Sequence, residues 1–88
     1  MQVAGQHTGN RRVNVDLVEK AEEALELARA FVAAGESHEA LDLYDDAFVI
    51  FGRELGEAHP LTLTTQNEYS ILLTAQHLLA SSALRRMN

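Results

Sequence analysis

The chain has 88 residues, a formal net charge of −6 and no cysteine, which describes one small domain with an acidic surface. This charge argues against a nucleic-acid partner, because phosphates bind basic surfaces, and the lack of cysteine excludes disulfides, thiolate nucleophiles and Cys-based metal sites. No apolar run approaches the roughly 20 residues that cross a bilayer, and the polar N-terminus lacks the apolar segment of a secretory signal. We therefore expect a cytoplasmic protein that binds neither nucleic acid nor membrane.

The order of residue types along the chain favours an all-α domain behind a short arm. Residues 1–13 have glycines and no apolar period, so they predict a flexible N-terminal arm. Residues 14–88 have a single proline and are rich in Ala, Leu and Glu, which predicts one helical domain. Arginine outnumbers lysine six to one, a ratio typical of a GC-rich bacterial genome.

The first helix is predicted over about residues 16–34. Asp16 and Glu19 have the spacing of a capping box, with Asp16 as the cap. One apolar stripe follows at helical spacing, and it consists of Leu17, Ala21, Ala24, Leu25, Ala28, Phe31 and Val32. Gly35 is expected to end the helix in the left-handed conformation that glycine adopts at low cost.

The second helix is predicted over about residues 37–55, with Ser37 as its N-cap and Gly56 as its end. Its wide apolar face contains Ala40, Leu43, Tyr44, Ala47, Phe48, Ile50, Phe51 and Leu55. The turn at Gly35 has only two or three residues, so the two helices should form an antiparallel hairpin.

The third helix is predicted over about residues 60–86, because Pro60 suits a first helical position and no Gly or Pro follows. His59 is expected to cap this helix or to pack at its start. Its apolar residues lie on more than one side, and a two-helix hairpin covers only one of them. The uncovered side predicts a homodimer through this helix, with an interface of Ile71, Leu72, Ala75, Leu78, Leu79 and Leu84.

A shift of 42 residues aligns Leu27-Ala28 with Tyr69-Ser70 and reveals a partial internal repeat. Ala28, Ala40 and Ala47 are spaced 12 and 7 apart, where two helices would approach closely. This pattern resembles the tetratricopeptide repeat (TPR), in particular the kinesin-light-chain type found in bacterial regulators. The matching residues are Leu27, Ala28, Gly35, Glu39, Ala40, Ala47, Phe48, Ile50, Leu55, Gly56, His59, Pro60, Thr62 and Leu63, with Asn67 opening the next unit.

The resemblance covers residues 24 to about 75 and implies one full repeat plus an extra helix. His77 stands where the next glycine is expected, so the third helix should run on instead of turning back. In TPR proteins the first helix of each unit lines a concave groove that binds a partner. The implied groove residues are Glu22, Leu25, Glu26, Arg29, Val32, Ala33, Thr64, Asn67, Glu68, Ile71, Thr74 and Ala75. Alternatively, some of these residues are buried between two copies of the chain.

No catalytic, cofactor or metal site is predicted. The four histidines lack metal-ligand spacing, and phosphate-loop and nucleophile motifs are absent from the sequence. Asp42, Asp45 and Asp46 cluster on the second helix, but paired carboxylates do acid–base work only inside a pocket.

Three functions remain open at this point. The first is a non-enzymatic TPR-like interaction module that binds a protein or peptide and self-associates through the third helix. The second is an accessory subunit of an enzyme or biosynthetic complex that folds fully only with its partner. The third is a sensor that binds a small ligand on the apolar face of the third helix.

Overall fold

The computed structural model describes the backbone of residues 12–87 and the side chains of residues 12–81. This part of the chain contains three α-helices and no strand, so the fold is all-α, as predicted. The helices are α1, Val15–Ala33, α2, Ser37–Glu54, and α3, Pro60–Met87. Residues 1–11, most of the predicted arm, lie outside the described residues.

The start of α1 corrects the predicted cap. Asn14, not Asp16, is the N-cap: its backbone is extended, and its side-chain Oδ1 accepts a hydrogen bond from the Leu17 N–H at 3.1 Å. Asp16 lies in the first helical turn instead. The Asn14 N–H also donates to Glu54 Oε1 at 2.9 Å, which joins the start of α1 to the end of α2. Asn14 is the better cap because its side chain accepts a hydrogen bond from a free N–H of α1 while its own N–H binds the end of α2.

The turn between α1 and α2 uses Gly35 as predicted, at φ +81°. The Gly35 N–H donates to the Val32 carbonyl and the Glu36 N–H donates to the Phe31 carbonyl, the bond pair of a Schellman motif. Ser37 was predicted as the N-cap of α2, but it is the first helical residue and Glu36 holds the cap position without a side-chain bond. The turn is so short that the Glu36 carbonyl already accepts the first helical bond, from Ala40.

Two glycines provide a matched test of this turn. Gly35→Ala is expected to lower the free energy of unfolding by about 1 kcal/mol, because φ is positive there and a Cβ disfavours it. Gly52→Ala is expected to raise it by up to about 1 kcal/mol, because Gly52 is inside α2 and a Cβ there meets no atom. Urea unfolding measures both values. Equal signs for the two variants would contradict this account of the turn.

The core lies where α2 packs between α1 and α3. It consists of Ala21, Leu25, Ala28, Ala40, Tyr44, Ala47 and Phe51, all almost inaccessible to solvent. The three alanines predicted to permit close helix approach, Ala28, Ala40 and Ala47, are fully buried. Alanines at these positions let the helix backbones come together, so the core is small and depends on a few large side chains.

The first half of α3 packs on this core through Leu61, Tyr69 and Leu72. His59 Nδ1 accepts a hydrogen bond from the Leu61 N–H at 3.1 Å, so His59 caps α3. Two threonines that the apolar pattern passed over, Thr62 and Thr65, are also fully buried. The Thr65 hydroxyl donates to the Leu61 carbonyl at 2.7 Å, whereas the Thr62 hydroxyl has no partner among the described residues.

The second half of α3 extends beyond the hairpin. Tyr44 and Arg29 both contact Glu68, and within two turns of that level α1 ends at Ala33 and α2 begins at Ser37. Residues 76–87, which we call the overhang, therefore continue α3 for about 18 Å without a neighbouring helix.

Candidate functional site

An open groove of about 340 Å³ lies where all three helices come together. Val32 comes from the last turns of α1 and Tyr44 from the middle of α2. The remaining lining residues belong to α3, namely Glu68, Ile71, Leu72 and Ala75. The lining is almost entirely apolar, so the groove is suited to apolar side chains.

One polar cluster borders the open groove. The Arg29 guanidinium donates to both oxygens of Glu68, from Nε to Oε1 at 2.9 Å and from Nη2 to Oε2 at 2.7 Å. The Tyr44 hydroxyl donates to the same Oε1 at 3.1 Å. Each helix contributes one of these residues, so the cluster fixes the position of α3 relative to the hairpin.

The cluster also sets the charges at the groove. The hydrogen bond from Arg29 lowers the pKa of Glu68, against the opposing effect of partial burial, and the Tyr44 hydroxyl lowers it further. Burial raises the pKa of Tyr44, and the hydrogen bond to Glu68 adds to that rise. At neutral pH the pair is a carboxylate beside a guanidinium, with no net charge, and Tyr44 keeps its proton.

The predicted groove residues divide into three groups. Four of the predicted residues line the groove, namely Val32, Glu68, Ile71 and Ala75. Arg29 lies beside it, hydrogen-bonded to Glu68. Glu22, Glu26 and Asn67 are exposed and do not line it. The prediction for Leu25 is wrong. This side chain is only 4% exposed because it points into the core between α1 and α2.

The predicted dimer residues overlap with the groove. Ile71, Leu72 and Ala75 line it, while Leu78 and Leu79 lie exposed further along α3. Leu84 lies in the overhang, and its side chain is outside the described residues. The two predicted sets of residues thus overlap at one groove, because Ile71, Leu72 and Ala75 line it together with Glu68.

Tyr44 lines the groove but was not among the groove residues predicted from the sequence, because helical periodicity assigned it to the apolar face of α2. It is nearly buried, and a buried tyrosine hydroxyl requires a hydrogen-bond partner. That requirement was the available signal for a polar group opposite α2.

No family model, curated protein or solved structure matches this chain. The TPR resemblance therefore remains a resemblance, and the groove is interpreted from its own geometry.

Two other kinds of feature are absent from the described residues. Between residues 12 and 81, no three His, Cys, Asp or Glu side chains are grouped so as to hold a metal ion. Within the described helices, none combines the length and apolar character that a bilayer crossing requires. Asp42, Asp45 and Asp46 are all exposed and lie outside the groove.

Proposed function

We propose that this chain is a non-enzymatic, TPR-like interaction module whose groove binds an apolar segment of another protein or peptide. The observation that carries the proposal is the open apolar groove with Ile71 on its wall. Ile71 is 62% exposed, although it lies beside the buried core residue Tyr44. Exposed apolar surface next to a core is costly in water and is typical of interfaces.

The groove chemistry limits the kind of segment that would fit. Arg29 and Glu68 already satisfy each other's charges, so neither is a free site for a ligand carboxylate or ammonium. A segment carrying leucine, isoleucine, methionine or phenylalanine gains most from the apolar lining. Affinity is thus expected to come from burial of apolar side chains.

Self-association through α3 is part of the same proposal. Leu78 and Leu79 are 59% and 63% exposed on the overhang, where α3 extends beyond the hairpin. The alternative is an accessory subunit that is completed by a different protein. The exposure of these two leucines supports it equally. In that case the isolated chain stays monomeric, and its helices pack firmly only when the partner is added.

A pair of α3 variants tests the groove. The chain is immobilised, captured proteins are identified by mass spectrometry, and the purified partner is titrated by calorimetry. Ile71→Asp is expected to weaken binding by at least about tenfold, because it places an unpaired charge on the apolar wall. Leu73→Asp, on the opposite side of α3 and 48% exposed, is expected to change affinity by less than about twofold.

Two results would count against the groove as a binding site. One is capture of no specific protein by the wild-type chain. The other is a partner whose affinity falls equally with both aspartates, because such a partner would not distinguish the groove from the rest of α3.

A further inference from the structure

The overhang contains a feature that the hairpin does not use. Ile71, Ala75, Leu78 and Leu79 are separated by four, three and one residues, which places them along one face of α3. The first two line the groove, and the last two continue the same face onto the overhang. In the single chain the overhang gains no stability from tertiary packing, which supplies most helical stability in proteins, so apolar contact with a partner would stabilise it.

We propose that the groove of one copy is filled by the overhang of a second copy, with the two α3 helices antiparallel about a two-fold axis at Ala75. This geometry rests on the proposed self-association through α3 and specifies its contacts. In an antiparallel pair centred on residue 75, Ile71 lies opposite Leu79 of the second copy. Leu72 lies opposite Leu78 of the second copy, and symmetry repeats each contact.

Ala75 suits the crossing point of the two helices. Its side chain is a single methyl group, it lines the groove, and it is exposed in the single chain. Small residues at a crossing allow helix backbones to approach to about 8 Å. The larger side chains on either side then enter the opposite groove.

The charge distribution favours a second copy as the occupant. All 13 acidic residues lie at or before Glu68, whereas the rest of the chain has no acid and contains Arg85 and Arg86. In this register, residues 85 and 86 lie opposite residues 65 and 64 of the second copy. Since Arg29 contacts Glu68 and α1 runs parallel to α3, the exposed Glu22 and Glu26 lie close to that level. The basic end of one copy thus meets the acidic helix of the other.

This arrangement makes self-association and partner binding compete. In the dimer each groove holds Leu78 and Leu79 of the other copy, so an external segment enters only when the overhang leaves. Because both events use one surface, a partner dissociates the dimer, and dimerisation weakens the apparent affinity for the partner.

Cysteine cross-linking tests the register directly, since the natural chain has no cysteine. Ala75→Cys is expected to form a disulfide-linked dimer as the main product of copper-phenanthroline oxidation, because the two Cα atoms would come within about 7 Å. Leu73→Cys, exposed on the other side of α3, is the control and is expected to remain mostly uncross-linked. A mixture of Ile71→Cys and Leu79→Cys chains should yield mainly the mixed product, which only an antiparallel register explains.

The proposal is overturned if Ala75→Cys chains cross-link no faster than Leu73→Cys chains. It is also overturned if the mixture yields disulfides between two Ile71→Cys chains as readily as mixed ones. Failure of this geometry is distinguishable from failure of the proposed function. A chain that lacks the Ala75 cross-link but binds a purified partner through Ile71 refutes the dimer and leaves the groove function intact. A chain that forms the Ala75 cross-link and captures no partner supports the dimer alone.

Discussion

Phe51→Ala is expected to remove most of the stability of the protein, so that a large fraction of the chains is unfolded under native conditions. Phe51 is the largest fully buried side chain, and it belongs to the helix that packs against both of the others. Removing a buried phenylalanine ring typically costs about 3–5 kcal/mol, through lost burial and the cavity that remains. The stability of a domain this small is expected near the low end of the usual range, about 5 kcal/mol, so little would remain.

The cavity left by Phe51→Ala is expected to stay open, because the core beside it contains alanine. Ala47, one turn before Phe51 in α2, is fully buried and has no side-chain atom beyond Cβ that can move into the cavity. The cost is therefore expected toward the upper end of the range for such substitutions.

Val49→Ala is the matched control, because Val49 lies in the same helix with its side chain exposed. Its effect on the free energy of unfolding is expected within about 0.5 kcal/mol, as for most surface substitutions. Circular dichroism at 222 nm during urea titration measures both variants. A folded Phe51→Ala with an unchanged urea midpoint would show that the core does not depend on this ring.

Leu79→Asp is expected to convert the proposed dimer to a monomer. In the proposed dimer, each Leu79 enters the groove beside Ile71 of the other copy, and the substitution acts twice. Two unpaired carboxylates placed on apolar surface should raise the dimer dissociation constant by at least about 100-fold. The overhang then loses its packing, so helical circular dichroism should also fall slightly as these turns fray.

Sedimentation velocity measures the change in mass, with Leu63→Asp as the control. Leu63 is 50% exposed on α3, on the side away from Leu79, so an aspartate there should leave the dimer intact. If Leu79→Asp stays dimeric with unchanged stability, α3 is not the interface.

Leu79 and Ile71 are expected to differ in their effect on a partner. Leu79 does not line the groove of its own chain, whereas Ile71 does. Leu79→Asp should therefore bind the partner at least as well as wild type, because no overhang competes. Ile71→Asp should lose both dimer and partner. These two variants separate the groove from the segment proposed to fill it.

The sequence predicted most of the fold because its signals are local. Gly35 and Gly56 have the positive φ that their predicted roles at helix ends require, and His59-Pro60 begins α3. The apolar stripe of α1 supplied Ala21, Leu25 and Ala28 to the core. Periodicity defines the faces of a helix, since side chains three and four apart lie together whatever the rest of the fold does.

The candidate site was less predictable, because it depends on how the helices lie against each other. The sequence placed Arg29 and Glu68 in a groove as separate side chains, yet they bond to each other across 39 residues. Leu25 was assigned to the groove by position within a repeat, but the hairpin buries it. No local pattern indicates which of two adjacent faces a neighbouring helix will cover.

By itself, the sequence determined three helices, the glycine-terminated ends of α1 and α2, the alanines at the close helix contacts and the excess length of α3. These follow from backbone preferences and helical period, which act within a few residues. Only the tertiary structure decided that Asn14 and not Asp16 caps α1, and that Thr62 and Thr65 are buried. It also decided that Arg29, Tyr44 and Glu68 form one cluster beside an apolar groove. The buried threonines and the cluster depend on atoms brought together from different helices, and Asn14 gains its bond to Glu54 in the same way. The placement of these atoms is set by packing of the whole core.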